Sequence, residues 1–277
     1  MSRIEAIILG IVQGLTEFLP VSSSGHLVLF QHLFGMQDPE LLFDICVHVG
    51  TLVAVLIVFR KDIADIIGTV IRLPVLSRSA GGLISLITGH GEARLMVMIV
   101  IGSIPTIILG ALFARMAQEL FGTIWLVGTA LLITGTFLWF TRNRVAAGRV
   151  LKEMRLADAL VIGVIQGLAI IPGISRSGAT ISAALYLGLD RELAGRFSFL
   201  LAIPAILGAL VLGLDGEAFE TTLPFGTILL GSAAAAGMGY MALVILLKIV
   251  KKGQLHRFSP YCWLVGAAAL VASLLLP

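Results

Sequence analysis

Acidic, hydroxyl and imidazole side chains interrupt an otherwise apolar stretch near the start of the chain. Residues 13–27 read QGLTEFLPVSSSGHL, and they place Glu17, Ser22, Ser23, Ser24 and His26 between runs of Ile, Leu and Val. Such groups serve proteins as general bases, nucleophiles and proton carriers. On its own, SSSGH would equally suit a turn followed by a helix cap.

A second copy of this segment lies 153 residues further along the chain. Residues 6–27, AIILGIVQGLTEFLPVSSSGHL, align without gaps with residues 159–180, ALVIGVIQGLAIIPGISRSGAT. The ionisable residues at the tips are not shared, because Glu17, Ser23 and His26 of the first copy align with Ile170, Arg176 and Ala179 of the second. A purely structural segment would keep similar residues in both copies. The difference predicts one composite site to which each copy contributes a different half.

The second copy has the composition of an anion site. Gly173 allows close backbone approach, and Ser175 or Ser177 can cap a following helix whose N-terminal amides attract negative charge. Arg176 adds a guanidinium fork suited to phosphate. Two such tips facing each other would suit a diphosphate. The predicted diphosphate contacts are Ser22, Ser24, Gly173, Ser175, Ser177 and Thr180, with helix packing as the alternative role for Thr180.

Gln13 and Glu17 lie four residues apart, so a helix places both on one face. Beside phosphate oxygens, this amide and carboxylate could hold a divalent cation, or Glu17 could orient or deprotonate a nucleophile. Ser23, His26 and a water molecule all stay open as the attacking group. A structural carboxylate at Glu17 and a capping role for His26 are the alternatives.

The composition indicates a membrane protein. Of 277 residues, 58% are hydrophobic and 13% are charged, against roughly 45–50% and about 25% in soluble domains. Mean hydropathy is +1.05. A helix needs about 20 apolar residues to cross the hydrocarbon core. Six segments meet or approach that length, at 43–60, 95–113, 121–141, 193–213, 225–249 and 261–277. Two further apolar regions, 4–35 and 157–188, are broken by Pro, Gly and Ser, and we predict that each is a re-entrant hairpin.

The sequence therefore predicts an all-α polytopic membrane protein with a single membrane domain. Its internal repeats are 1–141 and 157–277, joined by a cytoplasmic linker at 142–156. Because each repeat has three spans, the halves would have opposite orientations, as in many transporter folds. Fifteen of the 19 Lys and Arg residues lie on one predicted side, whereas Arg3 and Arg115 lie on the other. This asymmetry predicts both termini on the outer face and hairpin tips that meet near mid-membrane.

The two copied segments also resemble a known pair of signatures. QGLTEFLPVSSSGH and PGISRSGAT are similar to [E/Q]-x-x-x-E and P-G-x-S-R-S-x-x-T of the bacitracin-resistance type undecaprenyl-diphosphate phosphatases, and the resemblance extends over the whole chain. It implies an enzyme of the bacterial cytoplasmic membrane that removes the terminal phosphate of undecaprenyl diphosphate with the help of Mg²⁺ or Ca²⁺. Such an enzyme recycles the lipid carrier of peptidoglycan synthesis and confers bacitracin resistance.

The resemblance also implies roles for individual residues. It assigns catalysis to Glu17, Ser23, His26 and Arg176, and metal binding to Glu17 and Gln13. Many members have Glu where this chain has Gln13, so we give Glu17 the greater weight. The second signature covers Ser175, Arg176, Ser177 and Thr180.

A transporter is the rival function, because lipid-phosphate flippases and anion carriers also use inverted repeats with broken helices. A carrier would not need an acid, a serine and a histidine on one tip. The expected partners are a polyprenyl diphosphate and membrane lipids, and no long basic stretch points to nucleic acid. The sequence leaves open whether the protein forms a homodimer. We interpret the other histidines, His48 among them, as packing or loop residues.

Overall fold

A computed structural model describes residues 1–34, 41–79, 81–114, 124–143, 148–213 and 223–275. Within these ranges the chain is helical, and a single β-type bridge joins Arg149 to Leu189. The helices are α1 (Arg3–Phe18), α2 (Ser23–Leu33), α3 (Leu41–Val58), α4 (Arg60–Ser79), α5 (Leu83–Gly89), α6 (Gly91–Ala114), α7 (Ile124–Trp139), α8 (Leu156–Leu168), α9 (Arg176–Tyr186), α10 (Arg191–Gly213), α11 (Phe225–Lys251) and α12 (Ser259–Leu275).

Helix length and composition agree with several crossings of a membrane. Among the described residues, α6, α7, α10, α11 and α12 are long and apolar enough to span one, and α3 with α4 makes a sixth if that bent pair is counted as one span. The prediction of an all-α polytopic membrane protein is confirmed. The segment 61–94 between the first two predicted spans is occupied by α4, α5 and the start of α6, none of which the sequence analysis predicted there. Arg115 and linker positions 144–147 lie outside the described residues.

The change from α3 to α4 is a sharp bend of 80°. Apolar residues recur along α4 at helical spacing, so the segment can form a helix with one apolar face despite its charges. Ile67 and Ile71 on this helix are exposed, at 53% and 73%. The sequence prediction missed α4 because its mean hydropathy is lower than that of the spans.

Both predicted hairpin regions consist of two helices joined by a short break. Helix α1 begins with a capping box between Ser2 and Glu5 and ends at Phe18, and its C-cap residue Leu19 directly precedes Pro20. A residue before proline is biased toward extended backbone, and Leu19 has ψ of 143°. In the second region, Ser175 accepts a hydrogen bond from the Gly178 amide at 3.1 Å and so caps α9.

Glycines bring each hairpin's first helix close to a long helix of the other predicted repeat. A Cβ on Gly10 of α1 would lie 2.1 Å from the carbonyl oxygen of Gly231 on α11. A Cβ on Gly163 of α8 would lie 2.0 Å from the carbonyl oxygen of Gly102 on α6. Gly10 and Gly163 align in the sequence repeat. The contacts therefore have the same pattern in both halves, while the inverted orientation of the halves stays a prediction.

The linker is fixed to the second hairpin by a bidentate ion pair. The Arg149 guanidinium donates to both carboxylate oxygens of Asp158, at 2.8 and 3.1 Å. Arg94 on α6 donates to the carbonyl oxygens of Leu151 and Met154, which immediately precede α8. The start of α8 is thus held in place before the chain enters the second hairpin.

Candidate active site

The two hairpin tips meet at the carboxylate of Glu17. One oxygen, Oε1, pairs with the Arg176 guanidinium from the second hairpin. The other, Oε2, accepts hydrogen bonds from Ser23 Oγ at 2.6 Å and from Gln13 Nε2 at 3.0 Å. The Glu17 side chain is only 5% exposed and that of Arg176 is 21% exposed. The structure therefore brings together four of the predicted site residues around one buried carboxylate.

Local structure explains this convergence. Gln13 and Glu17 lie one turn apart near the end of α1, and Ser23 is the first residue of α2 after a break of four residues. Arg176 is the first residue of α9, so its side chain extends from a helix N-terminus. Burying a charge is costly unless it is paired and hydrogen-bonded, and Glu17 has both kinds of partner.

A second set of contacts fixes the path of the backbone through both tips. Ser22 has a φ of +70°, a left-handed conformation that is uncommon for a residue with a side chain. Its Oγ accepts a hydrogen bond from the Gly173 amide of the other tip at 3.1 Å. Gly173 has a φ of +95°, and a Cβ there would lie 2.4 Å from the carbonyl oxygen of Val127. Left-handed residues often mark functional sites, and here they hold the tips in contact.

The other predicted phosphate contacts have protein partners in this structure. Ser177 Oγ donates to the carbonyl oxygen of Phe18 at 2.7 Å, which joins α9 to the end of α1. Ser175 Oγ caps α9, and Thr180 Oγ1 donates to the carbonyl oxygen of Arg176 at 2.8 Å. Ser24 Oγ lies 3.3 Å from Ser22 Oγ. These hydroxyls stabilise the tips, and their contact with a phosphate stays a prediction.

The ring of His26 contacts the backbone of its own hairpin tip and α12. Its Nδ1 lies 2.8 Å from the carbonyl oxygen of Ser22, which can only accept, so Nδ1 carries a proton. Its Nε2 lies 2.7 Å from the hydroxyl of Tyr261, and the two rings stack with an interplanar angle of 10°. Both ring nitrogens are therefore engaged. Tyr261 is 235 residues from His26, and it carries no motif that would have revealed this contact.

Comparison with known sequences agrees with the resemblance seen in the motifs. The profile of the family described as bacitracin resistance protein BacA matches residues 6–268. The chain belongs to the BacA family. It is 50% identical over 274 residues to the undecaprenyl-diphosphatase of Desulfatibacillum aliphaticivorans, covering 99% of both chains. It is 43% identical over 275 residues to the protein of the same name from Korarchaeum cryptofilum, covering 98% of this chain and 99% of that one.

In this BacA-family chain, Glu17 also has a neighbour that the motifs do not contain. His48 on α3 places Nε2 at 3.8 Å from Glu17 Oε2. Our interpretation of His48 as a packing residue in an apolar stretch did not foresee this position. Nothing in the local sequence could have revealed it, because the contact depends on how α3 packs against α1.

The donor set near Glu17 is compatible with a hard cation. The described residues contain no group of three or more His, Cys, Asp and Glu side chains able to hold a metal ion. Gln13 Oε1 is buried without a hydrogen-bond partner, next to the Glu17 carboxylate. Mg²⁺ is often held by one or two carboxylates together with substrate phosphates. A carboxylate and an orphaned amide oxygen fit a cation whose remaining ligands come from the substrate.

Proposed function

We propose that this chain is a membrane-embedded undecaprenyl-diphosphate phosphatase, which releases the terminal phosphate and leaves undecaprenyl phosphate. The name shared by its full-length relatives supports this substrate. One observation of the site supports the reaction: the Glu17 carboxylate contacts a serine hydroxyl on one side and an arginine from the opposite hairpin on the other. A transporter is not favoured, because a carrier has no use for a serine hydrogen-bonded to a buried carboxylate.

Substrate binding would use the positive end of α9. Arg176 lies at this helix N-terminus, where backbone amides and the helix dipole attract phosphate. The Arg176 side chain is 21% exposed, so it would be accessible to the diphosphate as well as to Glu17. Such donors would stabilise the charge that develops on the transferred phosphoryl group.

Within this proposal, Ser23 is the favoured nucleophile. Its hydroxyl already donates to Glu17, whereas the ring nitrogens of His26 contact Ser22 and Tyr261. Ser23 Oγ would form a bond to the terminal phosphorus while the bond from phosphorus to the bridging oxygen breaks. Glu17 would accept the Ser23 proton and pass it to the released lipid phosphate. Water would then hydrolyse the phosphoserine.

His26 would act as a positioning residue. Its Nδ1–H holds the carbonyl oxygen of Ser22, whose left-handed backbone directly precedes Ser23. A divalent cation held by Glu17 and Gln13 Oε1 would neutralise phosphate charge, which is the chemistry that Mg²⁺ or Ca²⁺ supplies when bound.

The cellular setting is also part of the proposal. The basic residues favour an inner-membrane orientation with both termini outside and the site open to the outer face. Phosphate would leave on that side, and the lipid would return to peptidoglycan synthesis. Recycling of this carrier would give resistance to bacitracin.

Phosphate release from purified protein in detergent tests the activity. We expect equal amounts of inorganic phosphate and undecaprenyl phosphate from the C55 diphosphate, with loss of both when a chelator is added and recovery with Mg²⁺ or Ca²⁺. Detergent micelles sustain no gradient, so a carrier would bind the lipid without releasing phosphate. Binding without release would refute the proposed function, and release that resists the chelator would refute the cation.

A further inference from the structure

A line of polar residues on α3 leads to the Glu17 carboxylate. Asp44 and His48 lie one turn apart on this helix, and Gln31 of α2 donates to Asp44 Oδ1 at 2.8 Å. His48 is the member of this line that reaches Glu17. Its side chain is 37% exposed, against 5% for Glu17, so a small molecule can reach the imidazole beside an almost enclosed carboxylate.

Hydrogen bonding fixes the orientation of the His48 ring. Nδ1 lies 2.7 Å from the carbonyl oxygen of Asp44, which only accepts, so Nδ1 carries the proton. Nε2 of the neutral imidazole then presents a lone pair. It lies 3.8 Å from Glu17 Oε2, which is too far for a direct hydrogen bond. His48 Nε2 and Glu17 Oε2 are therefore two hydrogen-bond acceptors on either side of one gap, and a donor placed between them could bond to both.

The gap fits one water molecule that donates to both atoms. The two acceptors are 3.8 Å apart. For a water oxygen about 2.8 Å from each of them, the angle from His48 Nε2 through the water oxygen to Glu17 Oε2 would be about 85°. This angle is about 20° smaller than the angle between the two O–H bonds of water, so each hydrogen bond would bend by about 10°, which hydrogen bonds tolerate. Both hydrogens would then be engaged, and the oxygen lone pairs would point away from the acceptors.

Such a water would be able to bind to Glu17 once Ser23 is phosphorylated. In the resting site, Glu17 Oε2 accepts from both Ser23 and Gln13. Once Ser23 Oγ is bonded to phosphorus it has no hydrogen, so one lone pair of Oε2 becomes available. The water would then lie close to the phosphoserine, because its acceptor Oε2 is 2.6 Å from Ser23 Oγ.

We propose that Nε2 of His48 and Oε2 of Glu17 together hold the water that hydrolyses the phosphoserine. The proposal rests on the proposed function and on Ser23 as nucleophile. In this step the water oxygen bonds to phosphorus, and the bond from phosphorus to Ser23 Oγ breaks. One water proton passes to Glu17 and then to Ser23 Oγ, while His48 accepts a hydrogen bond from the second. The products are free Ser23 and inorganic phosphate.

The test compares the two products of a single enzyme preparation. His48→Asn keeps a donor near the Nδ1 position and removes the Nε2 acceptor. With this variant we expect a burst of undecaprenyl phosphate, at most one per site, while steady release of inorganic phosphate falls about 100-fold. Substrate labelled in its terminal phosphate should leave the label on Ser23. His48→Gln places an amide oxygen near the Nε2 position and should recover at least a tenth of the lost rate.

Matched controls separate this role from a structural one. His90→Asn alters an exposed histidine at the end of α5 and should leave both products unchanged. Slow turnover by His48→Asn with neither a burst of undecaprenyl phosphate nor label on Ser23 would overturn the proposal, as would wild-type rates. If the wild type releases no phosphate, the proposed function itself fails. If Ser23→Ala keeps full turnover, the serine route fails and the proposal with it.

Discussion

Removal of the Arg176 side chain should destabilise the protein as well as inactivate it. Arg176→Ala leaves the Glu17 carboxylate, which is 5% exposed, without its charged partner. Removing one partner of a buried ion pair costs about 3–5 kcal/mol, and the 21% exposure of the Arg176 side chain favours the lower value, about 3 kcal/mol. For a chain of this size we expect the Tm to fall by about 6–12 °C.

A double-mutant cycle shows whether the lost stability comes from this pair. Glu17→Gln removes the charge that Arg176→Ala leaves unpaired, so the double variant should be more stable than Arg176→Ala alone. We expect a coupling free energy of at least about 1 kcal/mol. None of the three variants should release phosphate, because each lacks either the arginine or the carboxylate.

The assay is thermal unfolding of purified protein in one detergent, with phosphate release measured on the same samples. Arg257→Ala, which alters an exposed arginine before α12, serves as the control and should change neither quantity. Additive effects of the two substitutions on Tm would refute the ion pair as a source of stability. Full turnover by Arg176→Ala would refute the composite site.

Three further outcomes follow from the described contacts. Gly10→Ala should lower both Tm and turnover, because the new methyl would lie 2.1 Å from the Gly231 carbonyl oxygen. Gly237→Ala, at a position with open space around it, should change neither quantity. Equal behaviour of the two variants would contradict the close packing of α1 and α11. Tyr261→Phe removes the hydrogen bond to His26 and should cost about 1 kcal/mol of stability. It should also lower kcat at unchanged KM. The control is Tyr240→Phe, at an exposed tyrosine, and if both variants have the same kinetics then Tyr261 does not position His26. Asp158→Asn should lower Tm by weakening the pair with Arg149 while leaving KM unchanged in the folded fraction, and a large rise in KM would contradict its purely structural role.

Hydropathy and the internal repeat predicted most of the fold. Within the described residues, five of the six predicted spans coincide with helices that are long and apolar enough to cross a membrane, and the sixth, 43–60, coincides with α3. The breaks of both hairpins could be located from Pro20, Pro172 and the serines that follow them. Helix α4 could not be predicted in this way, because charged residues are interspersed with its apolar ones and lower its hydropathy below that of the spans.

The candidate site was predictable only where the repeat carries information. Aligning the copies paired Ser23 with Arg176, and the structure places both side chains on the carboxylate of Glu17. Tyr261 and His48 are contributed by helices outside the repeated segment. Their contacts depend on how α12 and α3 pack against the first hairpin, and one sequence contains no record of that packing.

The central claim is that two hairpin tips form one phosphatase site around Glu17. Release of inorganic phosphate from the C55 diphosphate, measured for wild type, Glu17→Ala and Arg176→Ala in the same detergent, tests it most directly. We predict turnover by the wild type and loss of at least about 100-fold in each variant, although the two residues lie on different hairpins. Wild-type turnover by either variant, in protein that remains folded, would contradict the claim.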